Sequence, residues 1–393
     1  LPAILNSIEF QMSLLMFVAL AGYFIAFRIN QSAVVGIIIM GIIIGPSLLN
    51  WVTYTGVVAT LAHLGAVVLL FTIGLEFNIK DIWKVRYVVI ALVGVIVPAL
   101  SGYFLAGLFD YDYKASIFIG TALTATSIAI TANVLREMGK LQTETARAII
   151  AAAVIDDVLG LLALSTSQGL VSGDLSLASV TITLAKAVAF IVIGIILGRL
   201  VFSRLLVRLD TTKIASRYPE SIFIFTIMVA FLYAMAAEYV NLSPIVGSFL
   251  AGTSFASVKL TRGAAAFREG AEHLQVIFAS IFFVSLGVIM DLHNVGLNLL
   301  WFVLALTAVA IVTKIIGCGL PAFFQRMSVR DSLVVGVGMV PRGEVAMIVA
   351  LLGLNQGLLG QSAYSGLILM SLLTTVIAPL ILRSWLFKST ARL

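Results

Sequence analysis

A chain of 393 residues that is 61% hydrophobic, only 11% charged and has a mean hydropathy of +1.14 is no ordinary soluble domain, in which about a quarter of residues are charged. A net charge of +6 and a pI near 9.5 do not point to nucleic acid here, because in a polytopic membrane protein the placement of the positive charges carries the meaning. The single cysteine, Cys318, excludes an intrachain disulfide and, in an apolar segment, reads as a small core residue.

Turn residues and charges divide the sequence into thirteen expected spans, at 7–27, 32–46, 59–77, 87–109, 115–136, 145–167, 177–203, 220–240, 243–258, 271–290, 296–319, 330–355 and 362–386, taking about 20 residues as the length that crosses a bilayer. No cleavable signal peptide is expected, because the first apolar run continues into a spanning pattern. With the N-terminus outside, nineteen of the 24 Lys and Arg fall in the cytoplasmic loops and Lys114 alone falls outside. That asymmetry supports both the orientation, with a cytoplasmic C-terminus, and the span count, since a missed span scrambles the alternation. Lys186 and Arg199 lie toward the ends of span 7, where long side chains snorkel. Lys314 and Arg342 lie within spans and need another reason.

An internal repeat is visible in the second and ninth spans. Ser32-Ala-Val-Val-Gly36, with Gly41 after it, returns as Ser243-Pro-Ile-Val-Gly247 with Gly252, an offset of 211. Gly74 at the end of span 3 corresponds to Gly287 in span 10 at an offset of 213. Span n therefore pairs with span n+7, and the intervening seventh span inverts the second set. Inverted repeats are typical of secondary transporters, whose sites lie near mid-membrane where the repeats meet.

Span 5 carries Thr121, Thr124, Thr126, Ser127 and Thr131; its repeat partner, span 12, is interrupted by Gly336-Val-Gly-Met-Val-Pro-Arg-Gly-Glu344. Irregular backbone at membrane depth is tolerated where it is buried or lines a cavity, and interrupted spans in corresponding positions point to the substrate site. Taken singly, any of these hydroxyls reads equally well as helix-to-helix glue.

Span 6 places two adjacent acids, Asp156 and Asp157, in an apolar run. A carboxylate at mid-membrane costs about 2.5–3.5 kcal/mol, and such residues usually mark an ion or proton path; the plainer alternative is a buried ion pair that pins helix packing. Spans 5 and 12 are expected to cross near this pair. Lys314 in span 11 is placed to reach one aspartate, as a static salt bridge or as the partner that tunes proton release. Arg342 and Glu344 read as charges that offset the dipole ends of the broken span. The repeat offset carries Asp156 to Ile368, so the site is single and asymmetric.

Carboxylates, hydroxyls and exposed helix-break carbonyls are hard oxygen ligands suited to a small alkali or alkaline-earth cation. Carboxylates also bind protons, and a site that holds either cation or protons performs exchange by competition. No phosphate-binding loop supports ATP-driven pumping, and no cofactor is expected. His63, His273 and His293 lie near span ends or in loops, as ordinary interfacial residues or pH sensors.

Ala153-Val-Ile-Asp-Asp-Val-Leu-Gly160, Gly336-Val-Gly-Met-Val-Pro-Arg-Gly-Glu344, Thr124-Ala-Thr-Ser-Ile-Ala-Ile-Thr131 and Leu242-Ser-Pro-Ile-Val-Gly247 together resemble the bacterial sodium/proton antiporters of the NapA type, in the cation/proton antiporter-2 group. The resemblance covers essentially the whole membrane domain. It implies an all-α polytopic fold of two inverted six-helix repeats with two broken, crossing helices. Spans 1–3 and 8–10 (1–84 and 216–293) would form a dimerisation domain, and spans 4–6 and 11–13 (85–170 and 294–393) a moving core, joined by a linker helix within 171–215. It further implies a homodimer in the lipid of a prokaryotic inner membrane, with elevator-like displacement of the core. By the same resemblance Asp157 is the main carrier of Na+ and H+, Asp156 is the partner of Lys314, and Thr126 and Ser127 sit at the helix crossover. The Asp-Asp pattern implies electrogenic exchange of Na+ or Li+ for protons. A K+/H+ antiporter or K+ efflux system of the same group is the alternative, although K+ efflux systems usually carry Gln-Asp. A channel-like or ion-sensing module is the alternative from another class.

Overall fold

The computed structural model describes residues 7–54, 56–78, 84–173, 177–261, 264–290 and 296–386, and over these the chain is all-helical. Lys80, Arg262, His293, Lys388 and Arg392 lie outside the described residues, as do the side chains of Arg268 and Glu344. The first helices are α1 (Ile8–Arg28), α2 (Ala33–Ile44), α3 (Gly56–Gly74) and α4 (Val85–Leu108). The fifth expected span is two helices, α5a (Tyr113–Ala122) and α5b (Ile128–Glu137), followed by α6 (Glu144–Ser172) and α7 (Leu177–Leu197). Then come α8 (Glu220–Tyr239), α9 (Pro244–Phe255), α10 (Ala264–Val288) and α11 (Leu297–Phe324). The twelfth expected span is again divided, into α12a (Val329–Gly338) and α12b (Glu344–Asn355), and α13 is Gln361–Ile381. Nine helices among the described residues are long and apolar enough to cross a membrane.

Local chemistry sets the helix ends. Asp112 accepts from Ala115 N at 2.8 Å to start α5a, Thr143 from Ala146 N at 3.2 Å to start α6, and Ser328 from Asp331 N at 3.0 Å to start α12a; each satisfies one of the amides a helix leaves open at its N-terminus. Gly173, at φ +76°, closes α6 in the left-handed conformation. Two boundaries depart most from expectation: α10 begins at Ala264 rather than at 271, and span 7 runs on. Span 7 does not end at 203: the helix passes through a π turn, Gly198–Phe202, into Ser203–Thr211. The Ser203 hydroxyl, at 2.8 Å from both Gly198 O and Ser254 O, ties that turn to α9.

Two groups of helices pack internally. In one, α2 and α9 lie against α1 and α8 respectively, α9 packs on α3, α2 packs on α10, and α3 and α10 pack on each other. In the other, α11 packs on α4, α12a and α13, while α4 also packs on α5a and α6. Helix α7 touches α6 on one side and α8 and α9 on the other.

Glycine makes the first group possible. A Cβ on Gly41 would stand 2.2 Å from Val284 O of α10, and one on Gly287 would stand 2.3 Å from Ile38 O of α2. Gly252 and Gly74 make the matching approach between α9 and α3, at 2.2 Å from Phe71 O and 2.4 Å from Phe249 O. Backbones this close leave no room for a side chain. Gly41→Ala and Gly252→Ala should each lower stability by about 1–3 kcal/mol, read as a lower melting temperature in detergent. Gly107→Ala in α4, where a new Cβ meets nothing within 4 Å, should not.

Candidate functional site

Both helix breaks follow from residue chemistry. In 123–127 the Thr124 hydroxyl donates to Thr121 O at 2.8 Å, one turn after Thr121 donates to Ile117 O at 2.8 Å; such back-bonding offers the backbone an alternative to the helix ladder. In 339–343 Pro341 lacks an amide hydrogen and its ring clashes with the preceding turn, so the helix stops before it.

A break inside a membrane span leaves carbonyls that must be satisfied, and here each of five in succession finds a partner from another element or from the break itself. Gly338 O accepts from Thr131 Oγ1 at 2.6 Å, and Met339 O accepts from Thr126 Oγ1 at 3.3 Å and Arg342 Nη1 at 3.2 Å. Val340 O accepts from Arg342 Nη1 at 2.7 Å, Pro341 O from Ser127 N at 2.8 Å, and Arg342 O from Thr375 Oγ1 at 2.7 Å. The breaks therefore cross and are stitched together. The expectation of open helix-break carbonyls is not met over 338–342, where each already accepts a hydrogen bond.

Arg342 is fully buried, with its guanidinium on Met339 O, Val340 O and, at 3.4 Å, Ala310 O of α11. Its guanidinium thus lies at the C-terminal end of α12a, where a helix carries partial negative charge. Gly343 lets Ser127 pack against the chain, since a Cβ there would stand 2.7 Å from Ser127 Oγ.

Beside this crossing, Lys314 Nζ of α11 donates to Asp156 Oδ1 of α6 at 3.0 Å, and both side chains have 0% exposure. Thr126 also faces Asp156. The second carboxylate oxygen of Asp156 is buried and has no hydrogen-bond partner among the described residues. Asp157, next along α6, is half-buried. On one side of the pair, residues 148–154 are buried throughout; on the other, 161–166 are half-buried. The two acids thus occupy different environments at the depth where burial changes along the helix. Among the described residues no cluster of three or more His, Cys, Asp or Glu could hold a metal.

The structure brings together Asp156, Lys314, Thr126, Ser127 and Arg342, with Asp157 adjacent. His63 and His273 are exposed and away from the crossing, and Cys318 is buried beside Lys314's helix turn. Sequence reasoning missed Thr374 and Thr375 of α13. Arg342 N donates to Thr374 Oγ1 at 3.3 Å while Thr375 holds the Arg342 carbonyl, so the two grip the break from a third side. Two threonines in an apolar span carry no sequence signal of that role. A second unforeseen pair, Thr121 and Ser167, joins α5a to α6 through hydroxyls 2.6 Å apart.

Residues 14–388 match the family described as sodium/hydrogen exchanger, transmembrane. The chain is 31% identical over 376 residues to the Na(+)/H(+)-K(+) antiporter GerN of Bacillus cereus, covering 95% of each. It is 30% identical over 373 residues to the Na(+)/H(+) antiporter of Enterococcus hirae, covering 92% of this chain and 94% of that one. In fold it is similar to the sodium proton antiporter MjNhaP1 of Methanocaldococcus jannaschii, with a TM-score of 0.75 at 15% identity over 96% of each chain.

Proposed function

The chain belongs to the transmembrane sodium/hydrogen exchanger family and is a multi-pass cation/proton antiporter, and from that premise we propose that it exchanges Na+ or Li+ for protons at Asp157. The observation that carries this is the unequal environment of adjacent acids, one locked to Lys314 in the dry interior and the other half-buried beside the crossing. Asp157 takes either a cation or a proton, with the hydroxyls of Thr126 and Ser127 at hand; binding of one expels the other, which couples the two fluxes without ATP. Exchange is electrogenic, with more protons than cations moved per cycle. Seven spans in, the chain inverts, giving thirteen spans in two inverted repeats; the matched approaches of Gly41 with Gly287 and Gly252 with Gly74 support that symmetry.

The group α1–α3 with α8–α10 acts as the dimerisation scaffold of a homodimer in a bacterial inner membrane. The group α4–α6 with α11–α13 moves against it as an elevator, with α7 as linker. The N-terminus lies outside. A K+/H+ reading is the second one, favoured by GerN, whose name includes K+. Proteoliposomes with an internal pH dye separate the two: Na+ and Li+ pulses should release protons at lower concentration than K+, and solid-supported membranes should record a net current. A larger response to K+ overturns the Na+ assignment; cation flux without proton movement overturns exchange itself.

A further inference from the structure

The two helix groups meet chiefly through α5b, which packs on α2 and α3, whereas α5a packs on α4, α6, α12b and α13. The polar contacts between the groups gather at one rim. Arg136 and Glu137, the last two residues of α5b, clasp three scaffold helices there. Arg136 Nε lies 3.1 Å from Glu76 Oε1 at the end of α3, and its guanidinium also donates to Gln275 of α10. Glu137 Oε2 accepts from Ser32 Oγ at 2.7 Å and Ala33 N at 3.1 Å, and Oε1 accepts from Asn133 Nδ2 at 3.0 Å.

Ser32 stands at the N-cap position of α2 but makes no cap bond of its own. The opening amide of α2, one that a helix cannot satisfy internally, is capped instead by a carboxylate from the other helix group. Gln142 Nε2 to Glu76 O at 2.8 Å and Gln31 Nε2 to Ser384 Oγ at 3.0 Å continue the same seam. Behind Arg136 and Glu76 lies a cavity of about 720 Å³, also lined by Thr72, Lys259 and Glu272.

We propose that Arg136 and Glu137 form the inner gate of the transport path, closing Asp157 to the cytoplasm while they clasp α2, α3 and α10 and opening it when they let go. The inference rests on the proposed orientation and antiport. Each contact is suited to a gate: the Arg136 and Glu76 side chains are 27% and 32% exposed, so water replaces the partner when the pair parts and the pair itself is weak. Glu137 is exposed in the same way, apart from its two bonds to α2. The cap contributes more, because a charged acceptor on a helix N-terminus gains from both the hydrogen bond and the dipole. Parting the two groups therefore uncaps α2, and regaining the cap favours closure.

The test uses the full chain with Asp157→Cys as reporter and Cys318→Ala to remove the background thiol. A membrane-impermeant thiol reagent is applied to inside-out and right-side-out vesicles. Adding Glu137→Ala should raise labelling in inside-out vesicles about tenfold, the equilibrium change corresponding to one charge-assisted hydrogen bond. Ser32→Ala, a milder change on the other side of the same contact, should also raise it, and the two together should give no more than the larger alone. Unchanged inside-out labelling in both variants, with melting temperatures kept, overturns the gate. If Asp157 is intact and no cation drives proton movement, the antiport reading fails, whereas the labelling still decides the gate.

Discussion

Asp157→Asn should abolish cation-driven proton movement in proteoliposomes while the protein keeps its melting temperature. Asparagine retains the volume and one acceptor oxygen but neither the charge that attracts a cation nor the site that takes a proton. At about 4 Å and an effective dielectric near 20, the attraction between a carboxylate and a monovalent cation is about 4 kcal/mol, roughly a thousandfold in affinity. Because Asp157 is half-buried, water still reaches the amide that replaces it, so stability should change less than when the fully buried Asp156–Lys314 pair is broken. Coupled exchange above that of empty liposomes in this variant would show that another group carries the proton.

Lys314→Ala is expected to have its main effect on the fold. It leaves the Asp156 carboxylate at 0% exposure without its ammonium partner, and breaking a buried pair from one side typically costs about 3–5 kcal/mol. Replacing both partners, Asp156→Asn with Lys314→Met, removes the uncompensated charge and should recover most of that loss. The same double variant separates structure from mechanism. If the pair only pins α6 to α11, exchange returns with its charge per cation unaltered. If Lys314 exchanges its proton during the cycle, transport survives with a smaller charge moved per cation, measured as current against cation flux. Complete loss of exchange in the stable double variant rejects both outcomes and puts Asp156 in the site beside Asp157.

The apolar spans were legible because a bilayer demands about 20 apolar residues and tolerates few charges; α1, α3, α4, α6, α8 and α11 lie within a few residues of their expected bounds. The divided span 12 was legible from Pro341 and its glycines, since proline acts on its own backbone. Span 5 was less so. Its break is made by hydroxyls that compete for carbonyls, and threonine does this only in some surroundings. The end of span 7 was misplaced because the helix continues through a π turn at Gly198–Phe202, after which Ser203 Oγ donates to Ser254 O of another helix, a partner that no local run of residues reveals.

By itself the sequence determined that this is a polytopic membrane protein with two acids inside a span, a lysine and an arginine inside two others, and small residues recurring at a fixed offset. Those conclusions rest on cost: a buried charge or a helix breaker in an apolar run is expensive wherever the chain folds. The residues alone left open which aspartate Lys314 reaches, since adjacent residues on a helix point about 100° apart; the family resemblance pointed to Asp156, and only the tertiary structure shows the contact. It also decided that Thr374 and Thr375 hold the break, that the carbonyls of 338–342 are already engaged, and that Glu137 caps a helix more than a hundred residues earlier. Each of these is a pairing between elements remote in sequence, and its energy depends on distance and direction that no run of residues contains.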